Sequence, residues 1–292
     1  MEHYKNDINL IKDLSFKGLC ISSGGMKGLY YLGVLDYYYE KKLLNNIEYY
    51  AGTSIGSLIC LLLIVGYTPK EIFIYLCKND FSEHFKLMSF DNLLKEYGLI
   101  NTDNLKKYLE NMVIEKLGYI PTLLEIFMRF KKYFYCNSYN VNTNEKIYFS
   151  YKTHPTMLST DAVICSCSIP FLFSKTNINN NTYVDGGIFE SIPIKILLNH
   201  FLEEDYKEIL TINFKQKNIE NSEGILNYAN KIILTMLEKQ DIIDISKKTE
   251  YIEIETDILP YEFLLDNNKK ISMFLEGKQF IKKRHTIKEK ID

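Results

Sequence analysis

The 292-residue chain has no tryptophan and few prolines, and none of its six cysteines form a Cys-x-x-Cys pair. Without such pairs, zinc-ribbon and dithiol redox chemistry are not expected. Cys20, Cys60, Cys77, Cys136, Cys165 and Cys167 mostly sit in apolar runs, where cysteine acts as a small hydrophobe, which suits a reduced intracellular compartment. There is no strong charge excess either. A net charge of −2 and a pI near 6.3 give no global basic field for nucleic acid. The first residues, MEHYKNDINLIKDL, scatter charges and lack an apolar signal-peptide region. No apolar run is long enough to span a bilayer. No Pro/Gly/Ser linker or internal repeat divides the chain, so a single domain is expected. Usage rich in Asn, Lys, Ile and Tyr suggests an AT-rich genome, as in some large DNA viruses or bacteria, and carries no chemical information.

Hydrophobic residues make up 46% of the chain and charged residues 25%, as in ordinary globular proteins. Residues 17–22 read as a strand and 29–40 as a helix. The run 47–50 is β-prone, and Ile55, Leu58, Ile59 and Leu61 to Val65 form a helix apolar on all sides, hence buried. Pro69 opens a further helix. Residues 90–130 read as helical, with Thr102 or Asp103 as a cap and Pro121 starting the next element. A hairpin is expected at 133–141 and 146–149, and a helix near 158–167. The remaining elements are a strand at 183–184, a helix at 194–201, a strand at 208–214, a helix at 223–247, a strand at 251–255 and a final helix at 269–287. Strands alternating with helices predict an α/β fold whose largely parallel sheet is covered on both faces. Residues 15–215 would form the core, and 216–292 would complete the same domain.

Between the second strand and the buried helix lies Gly52-Thr53-Ser54-Ile55-Gly56, the G-x-S-x-G form of a nucleophile elbow. Its glycines permit a sharp turn close to neighbouring elements. The helix start favours negative charge near the serine, as acyl transfer requires. Alone, so short a pattern also arises by chance. A second turn, Ser23-Gly24-Gly25-Met26-Lys27-Gly28, follows the first strand and exposes backbone N–H groups to an anion. It has neither the P-loop nor the dinucleotide-fingerprint register. A third, Val184-Asp185-Gly186-Gly187, sets a carboxylate at a strand end, where an ordinary Asp-Gly turn would look the same. Chain order also permits a Ser-Asp-His triad using His200 or His285, although His200 ends an amphipathic stretch and His285 lies in a basic run. His3, His84 and His154 lack metal-ligand spacing.

Together, SGGMKG, GTSIG and DGG resemble, in order and interval, the three motifs of the patatin-like phospholipase family. The resemblance extends from about residue 15 to 285 and includes AVICSCSIPFLF at 162–173 and the closing SMFLEGKQFIKK. Ser23 stands where that family has its first glycine. The resemblance implies a three-layer α/β/α sandwich and a Ser54–Asp185 dyad. It further implies oxyanion donors at Gly24, Gly25 and Met26, and structural glycines at 28, 52, 56, 186 and 187. Lys27 would hold the loop, meet a lipid phosphate, or be solvated. The implied substrate is a phospholipid or lysophospholipid met peripherally at a membrane surface, with no cofactor and no metal. The implied location is the cytoplasm, or a host's cytoplasm for a viral or injected protein. The alternative from another class is a lipid-binding protein with a decayed site. Segments 67–90 and 119–135, with aromatic and aliphatic residues between lysines, suit an interfacial lid or an ordinary amphipathic helix face packed on the core, and Lys282, Lys283 and Arg284 could touch anionic headgroups or simply be solvated.

Overall fold

All four residues of Gly18–Ile21 (β1) are buried, as a central strand covered on both faces requires. The computed structural model describes residues 15–78, 95–216, 248–258, 262 and 265–291. Along the chain follow α1 (Gly28–Glu40), β2 (Tyr49–Gly52), α2 (Ile55–Ile64), α3 (Pro69–Lys78), β3 (Gly98–Ile100), α4 (Thr102–Leu117) and α5 (Leu123–Phe130). Next come β4 (Tyr133–Asn140), β5 (Glu145–Phe149), α6 (Ser159–Cys167), β6 (Phe171–Phe173), β7 (Thr176–Ile178) and β8 (Asn181–Asp185). The last elements are α7 (Ile194–Leu198), β9 (Ile209–Gln216), β10 (Glu250–Thr256) and α8 (Asn267–Ile291). The helix expected at 223–247 lies outside the described residues.

The main sheet runs β10-β9-β1-β2-β4-β8-β7, with β5 also paired to β4. From β10 to β4 every pairing is parallel, while β5, β8 and β7 join antiparallel. Side chains alternate across it. Leu19, Ile21, Tyr50, Phe134 and Ile252 face the larger core, built with Leu32, Leu35, Ile59, Leu62 and Phe274 of the helices. Cys20, Ala51, Tyr135 and Tyr251 face a smaller one with Ile194 and Leu197 of α7. The result is a three-layer α/β/α sandwich, as expected from the alternating elements.

Within the stretch 90–130, expected to be helical with a cap at Thr102 or Asp103 and a new element at Pro121, the described residues 95–130 include a strand. Gly98–Ile100 is a strand, paired in parallel with Phe171–Phe173 in a separate two-stranded sheet. The cap of α4 is Asn101, whose side chain accepts the Asp103 N–H at 2.8 Å, one residue before the expected cap. Thr122, after Pro121, caps α5 reciprocally with Glu125.

Helices α1 and α8 meet backbone to backbone. A Cβ on Gly33 would lie 2.9 Å from the Lys278 nitrogen and 3.0 Å from the Phe274 carbonyl carbon. One on Gly277 would lie 3.0 Å from the Tyr30 carbonyl carbon. The Lys278 ammonium then pairs with Asp36 and Glu40, each at 2.7 Å. In a free helix Gly→Ala gains about 1 kcal/mol, but overpacking against rigid backbone costs about 1–3 kcal/mol. The clash with rigid backbone outweighs the gain, so Gly33→Ala is expected to lower stability by about 1–2 kcal/mol in urea unfolding. An unchanged or raised midpoint would contradict this packing.

Candidate active site

Register brings the three turns to one level. Gly52 pairs with Ile21 on one side and Cys136 on the other. Two residues further along each strand stand Ser23, Ser54 and Ser138, and Ser138 pairs with Asp185 at the end of β8. β8 runs opposite to its neighbour, so its C-terminal residue arrives where the parallel strands finish. Ligand sites in open α/β sheets form at this edge.

Ser54 is 3% exposed and caps α2 with φ 55° and ψ −126°. This mirror image of the extended region strains an L-residue by about 1–3 kcal/mol. Its backbone is held on both sides. The Ser54 N–H donates to Ser166 Oγ at 2.9 Å, and its carbonyl accepts Ser57 Oγ at 2.6 Å and the Leu58 N–H at 3.2 Å. The turn closes only without side chains at its glycines. A Cβ on Gly56 would fall 2.7 Å from the Ser22 carbonyl oxygen, and one on Gly52 would fall 2.5 Å from that of Gly56.

Asp185 is 4% exposed. Its Oδ1 accepts the Gly187 N–H at 2.7 Å, and its own N–H donates to the Ser168 carbonyl at 2.9 Å. Burial pushes its carboxyl from 3.8 up to about 7, while the Ser54 hydroxyl and the Gly187 N–H favour the ionised form. Near neutral pH this carboxyl can therefore take a proton or give one up. Cys167 lies beside the same groups, its thiol pushed up by burial and by the Asp185 charge.

Gly24 precedes a 3₁₀ turn over Gly25–Lys27, with Gly25 at φ 54°. The turn's own bonds begin with the Lys27 N–H on the Gly24 carbonyl at 3.1 Å, so the N–H groups of Gly24, Gly25 and Met26 precede them. Gly28 abuts Ile55, next to Ser54. Ser23, the departure from the glycine pattern, bonds through its hydroxyl to Ser191 Oγ at 2.6 Å and through its N–H to the Ser191 carbonyl at 3.0 Å. A Cβ on Gly187 would lie 3.0 Å from the Ser23 side chain, so the first and third turns touch.

Lys27 is not the solvated charge considered from sequence. It is 4% exposed, with its ammonium 5.7 Å from the Phe214 ring centroid. Burial lowers it to about 8, while the Glu262 carboxylate pulls it upward.

The histidines considered for a triad lie elsewhere. His200 stacks on Tyr49 at 5.0 Å and hydrogen-bonds the Tyr135 hydroxyl at 2.9 Å. Tyr49 opens β2, five residues and so about 15 Å before Ser54. His285 packs on Tyr37 and Tyr38, roughly 15 Å along α1 from Gly28. His154 packs on Phe149, while His3 and His84 fall outside the described residues.

Segment 119–135 does not form a lid over Ser54. Lys132 bonds the Ile47 carbonyl and Tyr133 pairs with Tyr49, so α5 leads into the opposite end of the sheet. In segment 67–90, the Tyr67 hydroxyl donates to the Met112 carbonyl at 2.9 Å, and residues 79–90 lie outside the described residues. Lys282 and Lys283 are exposed, whereas Arg284 approaches Glu250 at 3.4 Å. Among the described residues no single helix is long and apolar enough to cross a membrane, although α2 and α3 together pass that test as a pair bent by 118°.

Sequence reasoning passed over Ser166, which fixes the elbow N–H, and Asn137. The Asn137 Oδ1 accepts the Thr53 hydroxyl at 2.7 Å, and its Nδ2 donates to the Glu190 carbonyl at 2.9 Å. Ser166 carries a signal, a polar residue between Cys165 and Cys167 in an apolar stretch, whereas Asn137 stands beside Ser138 and near Asn140 and is not set apart locally.

The family model for patatin-like phospholipases matches residues 19–198, which include all three turns. The chain belongs to this family. It is 33% identical over 215 residues to a protein described as a probable lipid hydrolase in Invertebrate iridescent virus 6, covering 71% of this chain and 72% of the relative. It is 28% identical over 291 residues to an uncharacterized protein of Acanthamoeba polyphaga mimivirus, covering 94% and 95%. Among solved structures, VipD from Legionella pneumophila superposes with a TM-score of 0.55 at 17% identity, over 91% of this chain and 66% of VipD. ExoU, in its complex with SpcU from Pseudomonas aeruginosa, gives 0.54 at 15% identity, over 94% of this chain and 52% of the other. The chain thus spans between half and two thirds of those two structures' lengths. They share its fold, a mostly parallel mixed sheet flanked by helices. The chain is a patatin-like lipid hydrolase by family.

Proposed function

We propose that the chain hydrolyses fatty acyl esters of phospholipids or lysophospholipids through an acyl-Ser54 intermediate, with Asp185 as the only general base. The observation that carries this reading is a buried carboxyl, raised to about 7, beside a serine held in a strained elbow. Asp185 accepts the proton as Ser54 Oγ bonds to the ester carbon. The N–H groups of Gly24, Gly25 and Met26 receive the oxyanion, each worth about 3 kcal/mol in comparable sites. As the tetrahedral intermediate collapses, the ester C–O bond breaks and the leaving alcohol takes the proton from Asp185. Water then attacks the acyl carbon and gives a proton to Asp185. That proton returns to Ser54 Oγ as the fatty acid departs.

The positions of His200 and His285 favour the dyad over a triad. The intact turns favour catalysis over a decayed lipid-binding site. On this reading the enzyme meets its lipid as a peripheral visitor to a membrane, from the cytoplasm.

The test is mass spectrometry of products from vesicles of mixed phospholipids and lysophospholipids. Wild type is expected to release free fatty acid and the matching deacylated lipid. Release no greater than that of Ser54→Ala would refute the lipid assignment.

A further inference from the structure

The elbow and the acid come from segments 131 residues apart, and the reaction needs them within hydrogen-bonding reach of one another. Neither contacts the other through a continuous element, so something between them must set the gap. The strand between them, β4, offers one side chain that touches both sides. Asn137 is 2% exposed and both ends of its amide are hydrogen-bonded. Oδ1 accepts from Thr53, the residue before the nucleophile, at 2.7 Å, and Nδ2 donates to the Glu190 carbonyl at 2.9 Å. Thr53 Oγ1 also reaches that carbonyl at 3.2 Å, closing a three-membered network.

The same residue seats the turn after the acid. A Cβ on Gly186 would fall 2.5 Å from both the backbone oxygen and Oδ1 of Asn137, so the turn lies directly against it. The Glu190 N–H returns to the Gly186 carbonyl at 2.9 Å, which ties residue 190 to the acid's own turn. On β5, Tyr148 stands opposite Asn137 in the ladder and bonds the Glu190 carboxylate through its hydroxyl. Residue 190 is thus held by its backbone from β4 and by its side chain from β5.

We infer that Asn137 is a positioning residue, joining the Thr53 side of the elbow to the 186–190 turn and so fixing the separation of Ser54 and Asp185. This rests on the dyad proposed above. Asn137 contacts neither reacting atom, so it acts through the geometry of others. A displacement of about 1 Å costs on the order of 100-fold in rate.

The experiment is a double-mutant cycle in the full chain with a soluble acyl ester, in which kcat and KM are read separately. Thr53→Val keeps shape and removes the donor, and Asn137→Ala removes the acceptor. Each is expected to lower kcat about 10- to 100-fold with KM within twofold, and the double variant is expected to fall no further than the worse single one. Thr53→Ser, which restores the hydroxyl, is expected to return kcat to within about threefold of wild type. If Asn137→Ala does not fold, the isosteric Thr53→Val and the Thr53→Ser comparison decide the question. Multiplicative losses in the cycle, a rise in KM alone, or a Thr53→Val enzyme with wild-type kcat would overturn the inference. Wild-type turnover that Ser54→Ala does not silence would overturn both the dyad and the inference. A silent Ser54→Ala beside a fully active Thr53→Val would overturn the inference alone.

Discussion

Ser54→Ala is expected to lower ester turnover by about six orders of magnitude, as loss of the nucleophile does in comparable hydrolases. The protein should nevertheless stay folded, because the bonds that hold the elbow in shape use the Ser54 backbone, whereas its hydroxyl serves the Asp185 carboxyl. Its N–H rests on Ser166 Oγ and its carbonyl on Ser57 and Leu58. Ser54→Gly sharpens the test, since it too lacks the hydroxyl but accepts φ 55° without strain. It should be as inactive as the alanine variant and more stable than wild type by about 1 kcal/mol. Kinetics with a soluble ester, beside thermal unfolding of all three proteins, check both halves. A Ser54→Gly protein that retained turnover would remove Ser54 from the reaction. One less stable than wild type would remove the strain from the elbow.

For Asp185→Asn two effects of opposite sign are expected. Catalysis should fall by about 10³- to 10⁴-fold, since an amide cannot take the Ser54 proton. In wild type, kcat/KM should rise with pH up to about 7 and then level, because only the ionised carboxyl acts as base. The variant's residual rate should lack that step.

Stability should move the other way. The carboxyl titrates near 3.8 when unfolded and near 7 when folded. Between those values the native state binds more protons than the unfolded state, so wild-type stability falls as pH rises. Below about 4 the carboxyl is protonated in both states and the penalty vanishes. Above about 7 the penalty is complete, at roughly 4 kcal/mol as an upper bound. Asn carries no charge to bury. Its stability advantage should therefore grow from pH 4 to 7 and then hold, raising the melting temperature by several degrees at pH 8. Equal melting curves at pH 8 would contradict the buried charge.

Much of the site was legible because its parts are local. The first two glycine turns each sit between an apolar strand and a helix, and both strand–turn–helix units follow from periodicity and glycine placement. What short-range pattern leaves open is decided by distant pairing. Gly98–Ile100 looks like part of a helical stretch and becomes a strand because Phe171–Phe173 lies beside it. Asn101, Thr102 and Asp103 are all good cap formers, and only the built helix chooses among them. The amphipathic pattern of α5 does not say at which end of the sheet it lies. The Tyr49–Tyr133 pairing puts it away from Ser54. Burial of Lys27 follows from Phe214 on β9, far along the chain. Ser166 is visible as a polar residue between two cysteines, but Asn137 stands among other polar residues of β4, and only their distant partners supply the meaning of either.

The central claim is that Ser54 attacks and Asp185 alone activates it. Its most direct test is intact-protein and peptide mass spectrometry after reaction with a fluorophosphonate, comparing wild type, Asp185→Asn, His200→Ala and His285→Ala at pH 8. The expected result is one adduct on Ser54 in wild type and in both histidine variants, with labelling nearly absent in Asp185→Asn. Labelling of Asp185→Asn at the wild-type rate, or its loss in a folded histidine variant, would contradict the dyad.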